Sequence, residues 1–233
     1  MLKTNVEKLM KISVMGEIAS PTIRSVYNVS ATGKALVLPG VGGITYNLRV
    51  GDPACGWEAD HVEPGVSVEN KENDARSGQA ANTAFNVLTC VGNQAAVATG
   101  DKKGAKGVVT GKHGGIEHVL IDFPSEILEQ LLIGDRILIK AFGLGLKLLD
   151  FPDIKVLNID PGLLEAWNPK PNGDKLEVPV THVVPARGTA RRHLGKRCRS
   201  GQARGDLRDC SGKRRGLVLD DRLHRGPRLP DRH

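Results

Sequence analysis

The sequence predicts a mainly β fold, a β-barrel-like arrangement of short strands punctuated by glycine, with two or three short helices. Three observations support this. Residues 1–186 contain 21 Gly and 11 Pro, so few segments exceed ten residues without one. Many short segments with turn residues between them are typical of barrels and sandwiches. Helical patterns do not alternate regularly with strands, which argues against a βαβ fold.

The predicted strands are short runs rich in apolar residues and bounded by turn residues. They cover residues 34–38, 44–50, 65–68, 86–91, 95–99, 107–110, 118–122, 136–142, 154–159 and 176–184. Residues 136–140 alternate polar and apolar side chains, so one face of that strand is expected to be buried.

Three helices are predicted from their start signals. The first begins at Thr4, because Thr4 and Glu7 have the spacing of a capping box. The second covers residues 124–132 and the third residues 160–167, each with a proline in its first turn.

The basic character of the chain belongs to its last 47 residues. Residues 187–233 hold 13 Arg and 2 Lys against 5 Asp, whereas residues 1–186 carry a net charge of −3. This last segment contains no Ile, Phe, Trp, Tyr or Glu. We therefore expect a globular body over residues 1–186 and a disordered Arg-rich tail over residues 187–233, since the tail lacks apolar surface to offset its ordering entropy. A frameshifted coding region explains its vocabulary better than a natural basic arm, which is the alternative.

Cysteine spacing and hydropathy indicate a cytoplasmic protein without a membrane segment. The four cysteines form no CxxC pair and no disulfide framework. The N-terminus lacks the unbroken apolar core of a signal peptide, and no apolar run reaches the roughly 18 residues of a membrane helix.

Four long motifs make residues 1–186 resemble a known family. They are GGITYNLRVGDPACGW, DHVEPGVS, GDKKGAKGVVTGKHGGIEHVLIDFP and LLIGDRILIKAFGLGLKLLD, in this order. The body closely resembles the uncharacterised prokaryotic family named domain of unknown function 4438. The resemblance implies no activity or catalytic residues. It also implies a further β-rich region that this chain lacks, so the body is expected to be truncated.

The densest polar cluster lies in the segment KHGGIEH, residues 112–118. Two imidazoles and a carboxylate within six residues are candidate ligands of a divalent metal ion. On an extended chain His113 and Glu117 share a face, whereas His118 points away. The candidate small-molecule site contains Asp52, Lys112, His113, Gly114 and Gly115. The alternative is a glycine hairpin with two surface histidines.

A second cluster, DHVEPG at residues 60–65, contributes His61 and Glu63, which fall on one face of an extended chain. With the first cluster it completes a candidate metal site of mixed nitrogen and oxygen ligands, suited to Zn, Mn or Fe. Its members are His61, Glu63, His113, Glu117 and His118. The alternative is two unrelated turns, since Asp-Pro and Glu-Pro-Gly are ordinary turn sequences.

Two further features are weaker. Residues 100–112 carry four Lys and several Gly, which suits either phosphate binding or a lysine-bearing surface hairpin. Cys90 lies in an apolar run and is predicted to be a buried core thiol.

Three functions therefore compete. The first is a small-molecule- or metal-binding barrel, with enzymatic activity left open. The second is a non-enzymatic barrel that associates with itself. The third is contact with RNA or the ribosome, which the net-negative body disfavours.

The tail interpretation predicts how altered genes behave. A truncated body would leave an unpaired strand edge near its end, so the chain should express poorly or aggregate. Deleting residues 187–233 alone should not restore solubility. Restoring the reading frame after Ala186 should give a longer, less basic and more soluble protein, measured as the soluble fraction after expression. A compact tail that buries its Leu side chains against the body would contradict this interpretation.

Overall fold

A computed structural model describes residues 2–23, 28–29, 33, 35–36, 42–50, 52, 63–72, 80–113 and 117–180. Within these residues the strands are β1 (Lys11–Ile18), β2 (Asn28–Val29), β3 (Ala35–Leu36), β4 (Ile44–Thr45), β5 (Gly65–Glu69), β6 (Gln94–Val97), β7 (Lys106–Lys112), β8 (Val119–Asp122), β9 (Arg136–Phe142), β10 (Lys170–Asn172) and β11 (Lys175–Glu177). The helices are α1 (Ala80–Leu88), α2 (Ser125–Leu128) and α3 (Pro161–Trp167), with a 3₁₀ turn at Val6–Lys8.

Six strands close into an antiparallel barrel in the order β1-β9-β6-β7-β8-β5, and β5 pairs back onto β1. β4 pairs with the first two residues of β5. The closing pair is short, with Glu17 opposite Glu69 and Ile18 opposite Val68. Gly16 permits this approach, because a Cβ there would lie 2.7 Å from the Glu69 carbonyl oxygen. The predicted β-barrel with short helices is confirmed.

The barrel interior is filled by apolar side chains from every strand of the ring, as expected for a small barrel. The alternation predicted for residues 136–140 is confirmed in β9, where Ile137, Ile139 and Ala141 are buried. Phe85 of α1 and Leu128 of α2 join the same core. Burial of this apolar surface is the main force that holds the strands in register.

The compact unit Thr4–Leu163 contains the whole barrel with α1 and α2. A second unit groups Met1–Lys3 with Leu164–His233, and its described part includes the antiparallel hairpin of β10 and β11. The predicted boundary at residue 186 and the predicted tail lie outside the described residues and stay predictions. None of the described helices is long and apolar enough to cross a membrane.

Three predicted elements are wrong, and strand β1 was not predicted. The strand expected at residues 86–91 is wrong, because residues 80–88 form α1 with Asn82, Phe85 and Asn86 buried at helical spacing. Two of those three buried side chains are polar, which conceals the helical period from a hydrophobicity pattern. The strand expected at residues 154–159 is also wrong, since only isolated bridges form at Lys155 and Ile159.

The N-terminal helix from Thr4 is wrong as well. Thr4 forms a β-bridge with Leu148, and only one 3₁₀ turn follows before β1. The side chain of Asn5 binds distant backbone, donating to the Gly145 carbonyl and accepting from Lys147 N–H. These long-range bonds replace the local capping box.

The first part of the lysine-rich segment, residues 100–105, lies in the turn between β6 and β7, and residues 106–112 form β7. Gly104 takes a positive φ of 93° there, and its N–H donates to the Val97 carbonyl. The segment thus has the hairpin connection of the second alternative, and phosphate binding by it stays untested.

Gly65 should tolerate substitution poorly. It has a φ of +80°, and a Cβ there would lie 2.3 Å from the Ile121 carbonyl oxygen on the neighbouring strand. Gly65→Ala should lower the free energy of unfolding by more than about 2 kcal/mol, since backbone strain and a clash add. Urea denaturation measures the change.

Gly104→Ala is the matched control, because its φ is also positive but nothing lies within 4 Å of the added Cβ. It should lose only about 1–2 kcal/mol from the left-handed backbone alone. Equal losses for the two variants would show that the strand contact at Gly65 is not limiting.

Candidate functional site

The turn of the β7–β8 hairpin brings His113 and His118 together. His113 directly follows β7 and His118 directly precedes β8, and the His113 N–H donates to the His118 carbonyl at 2.9 Å. Opposed residues of an antiparallel pair project to the same side of the sheet. The two ring centroids are accordingly 6.2 Å apart. The expectation that His118 points away from His113 is therefore wrong, because pairing across the hairpin overrides alternation along one chain.

Glu63 approaches the same place from the segment that precedes β5. Its Oε2 lies 3.4 Å from Nδ1 of His118. The same oxygen accepts hydrogen bonds from the Gly42 N–H at 3.0 Å and from the Ser67 hydroxyl. The Glu63 carbonyl accepts a hydrogen bond from the Thr45 hydroxyl at 2.7 Å. The carboxylate is thus fixed in position from the β4–β5 side of the barrel.

Glu63, His113 and His118 form one buried cluster, named here the Glu–His–His cluster. Their relative exposures are 4%, 8% and 5%. One potential ligand atom from each residue lies within 4.8 Å of the others. Three donors this close and this buried can surround a single ion. The two segments that supply them are about fifty residues apart in sequence.

Glu117 contacts the cluster from its outer side. Its Oε2 lies 2.6 Å from Nδ1 of His113, and its side chain is partly exposed. A carboxylate in contact with one imidazole nitrogen favours a fixed ring orientation and tautomer. Glu117, which the sequence grouped with the metal ligands, therefore touches His113 but is not a member of the three-residue cluster.

The Lys112 ammonium binds groups of the protein itself. Its ammonium donates to the Asn86 carbonyl near the end of α1 and to Asn158 Oδ1 at 3.2 Å. Burial lowers the pKa of Lys112, an effect that Cys90 opposes. A cation bound to the last carbonyls of a helix stabilises its C-terminus.

The remaining sequence candidates are either elsewhere or not described. Asp52 accepts a hydrogen bond from the Arg49 N–H at 2.8 Å and so closes a local turn. His61, Gly114 and Gly115 lie outside the described residues.

Gly42 and Ser67 were not identified from the sequence, although both bind the Glu63 carboxylate. No spacing signal connects Gly42 to Glu63, since their contact depends on how β4 and β5 pair.

A separate cleft of about 170 Å³ opens on the barrel surface. It is lined by Met15, Gly16, Glu17, Asn70, Lys71, Glu72 and Arg136. The Lys71 ammonium lies 2.8 Å from Glu17, which raises the pKa of Lys71, and Arg136 lies 3.2 Å from Glu72. The cationic groups of this cleft are thus paired internally, and none of the Glu–His–His residues lines it.

Comparison with known proteins gives a family and one solved structure. Residues 27–165 match the family model described as "Domain of unknown function (DUF4438), N-terminal". The structure titled "Crystal structure of TM1086" is 50% identical, with a TM-score of 0.71 over 77% of this chain. The match covers 61% of that chain, so this chain spans less than two thirds of its length. No curated protein matches.

Cys90 should resist alkylation in the folded protein. Its side chain is fully buried, and burial raises the pKa of the thiol, so little reactive thiolate forms at neutral pH. Iodoacetamide labelling at pH 7.5 followed by peptide mass spectrometry should show Cys90 modified at least about tenfold more slowly than in urea-unfolded protein. Equal labelling rates would contradict its burial.

Proposed function

This chain belongs to the DUF4438 family, and we propose that it is a metal-binding β-barrel protein whose Glu63, His113 and His118 bind one divalent transition-metal ion. The fold supplies the site at the turn of one hairpin and beside one neighbouring strand. All three residues belong to the unit that contains the barrel.

The spacing between His118 and Glu63 is the observation that carries this proposal. Ligand atoms bound to one tetrahedral zinc at about 2.1 Å are about 3.4 Å apart. His118 Nδ1 and Glu63 Oε2 are separated by 3.4 Å, longer than an ordinary N–H···O hydrogen bond. A small rotation of side chains would bring His113 to the same distance, because the whole set already lies within 4.8 Å.

Electrostatics favours a cation at this position. Glu63 is buried beside the two imidazoles, and opposite charges attract more strongly in a buried site because the effective dielectric constant is lower there. A divalent ion bound between Glu63 and the two imidazoles would therefore be stabilised by the carboxylate.

The contacts around the ligands match those of known metal sites. Metal-binding histidines usually donate their other ring nitrogen to a carboxylate or carbonyl, and binding carboxylates are themselves hydrogen-bonded. Glu117 takes the first role by contacting Nδ1 of His113, and Nε2 of the same ring is the proposed ligand atom. Gly42 N–H and the Ser67 hydroxyl take the second role towards Glu63.

The donor set indicates which ions and chemistry suit the site. Two imidazoles and one carboxylate suit Zn, Fe or Mn better than Ca or Mg, which prefer oxygen ligands throughout. Three protein ligands leave at least one position for water or a small molecule with an oxygen or nitrogen donor. This is the arrangement of catalytic rather than structural zinc sites.

Removal of one ligand should abolish tight metal binding. Metal-free protein prepared with a chelator should bind Zn²⁺ in calorimetry with one tight site. His118→Ala and Glu63→Gln should each weaken that site at least about 100-fold, because each removes a direct ligand. At a free zinc concentration of 100 Kd, the free energy of unfolding of the wild type should rise by about 2.7 kcal/mol.

Glu69→Gln provides the matched control, since Glu69 is a β5 carboxylate that pairs with Lys71. It should bind zinc as the wild type does. The chain has seven His and four Cys in all, so the difference between variants, rather than total zinc content, is the decisive measurement. Equal tight binding by wild type and a folded His118→Ala variant would refute the proposed site.

A further inference from the structure

Helix α1 is joined by a buried side chain to the hairpin that carries the two histidines. Asn82, on the buried face of α1, donates from Nδ2 to the Glu117 carbonyl at 2.9 Å. Its Oδ1 accepts the Asn70 N–H at 2.9 Å. The amide of Asn82 therefore connects the end of β5 with the residue immediately before His118.

A second bond joins α1 to the other strand of the same hairpin. Lys112, the residue immediately before His113, donates its ammonium to the Asn86 carbonyl of α1. Both histidines are thus preceded in the chain by a residue that is hydrogen-bonded to α1. None of the residues of α1 belongs to the Glu–His–His cluster.

We propose that Asn82 is a positioning residue of the metal site, which couples α1 to metal occupancy through the backbone of Glu117. The inference rests on the proposed metal-binding function. A bond from Asn82 to the Glu117 carbonyl fixes where the Glu117 side chain leaves the backbone. The position of that side chain in turn orients His113, which its carboxylate contacts at 2.6 Å.

The coupling acts in both directions. If the Asn82 bond holds the hairpin in the geometry that binds the ion, the bound ion must favour the state in which that bond is formed. Phe85 anchors α1 in the apolar core in either case. Metal binding should therefore change the local opening of α1 rather than its folding.

Hydrogen exchange measures one direction. Saturation of the full chain with Zn²⁺, compared with chelator-treated protein, should slow amide exchange in peptides covering residues 80–88 by about tenfold. The turn at residues 99–105, between β6 and β7, should exchange at an unchanged rate and serves as the internal control.

Substitution measures the other direction. Asn82→Leu removes the bond to Glu117 while all three proposed ligands remain, and zinc affinity should fall by about tenfold, as for other groups that orient metal ligands. Thr89→Val is the matched control, because the Thr89 hydroxyl is buried at the end of the same helix and donates to the Phe85 carbonyl, without a bond to Asn82 or to the hairpin. It should change zinc affinity by less than about twofold.

Asn82→Asp keeps the acceptor for Asn70 but places an oxygen against the Glu117 carbonyl, and it should weaken zinc binding as Asn82→Leu does. This variant decides the matter if Asn82→Leu fails to fold. By reciprocity, the factor lost in affinity should equal the factor lost in zinc-induced protection of residues 80–88.

The outcomes separate this inference from the proposed function. Absence of tight zinc binding in the wild type would refute both. Tight binding that depends on His118, with unchanged exchange in α1 and unchanged affinity in folded Asn82 variants, would refute the positioning role alone. Equal weakening by Asn82→Leu and Thr89→Val would show general stabilisation of the helix and would refute the positioning role.

Discussion

The candidate site depends on the backbone hydrogen bond from the His113 N–H to the His118 carbonyl, which holds the two imidazoles side by side. This bond closes the β7–β8 hairpin in the register that continues Lys112 opposite Val119. A shift by one residue would turn each side chain to the other face, so the two imidazoles would separate. The contact between the histidines is thus a consequence of strand pairing, and the barrel core, which buries Val109 and Ile121 of these strands, maintains that pairing.

The pairing of β5 with β8 places the Glu63 carboxylate beside the two histidines. β5 pairs with β8 of the hairpin on one edge and with β1 on the other, so its position beside the hairpin is fixed. Glu63 is fixed there by Gly42 N–H and the Ser67 hydroxyl before any ligand binds. Preorganised donors lose little conformational freedom on binding, which is why rigid elements make better sites than mobile loops. Helix α1 also binds the hairpin. The Asn82 side-chain amide donates to the Glu117 carbonyl, and the Asn86 carbonyl accepts from the Lys112 ammonium.

Much of the fold was predictable because its signals are local. The alternation in β9 and the prolines that begin α2 and α3 identify these elements within a few residues. β1 was missed because it is defined by its pairing with β9, far along the chain, and α1 was missed because the polar residues Asn82 and Asn86 occupy buried positions. For the site, the sequence identified Glu63, His113, Glu117 and His118 as candidates. It could not predict that His118 faces His113, or that Gly42 and Ser67 bind Glu63, since both facts depend on strand pairing. The predicted compartment, self-association and tail stay predictions.

X-ray absorption at the zinc edge of the zinc-loaded full chain tests the central claim most directly, because it reports the ligand atoms themselves. The account predicts nitrogen and oxygen neighbours at about 2.0–2.1 Å, with the outer scattering of two imidazole rings. The scattering from one of those rings should be absent from the spectrum of His118→Ala. Sulfur neighbours at about 2.3 Å, or a spectrum that is unchanged in His118→Ala, would show that zinc binds elsewhere in the chain and would contradict the account.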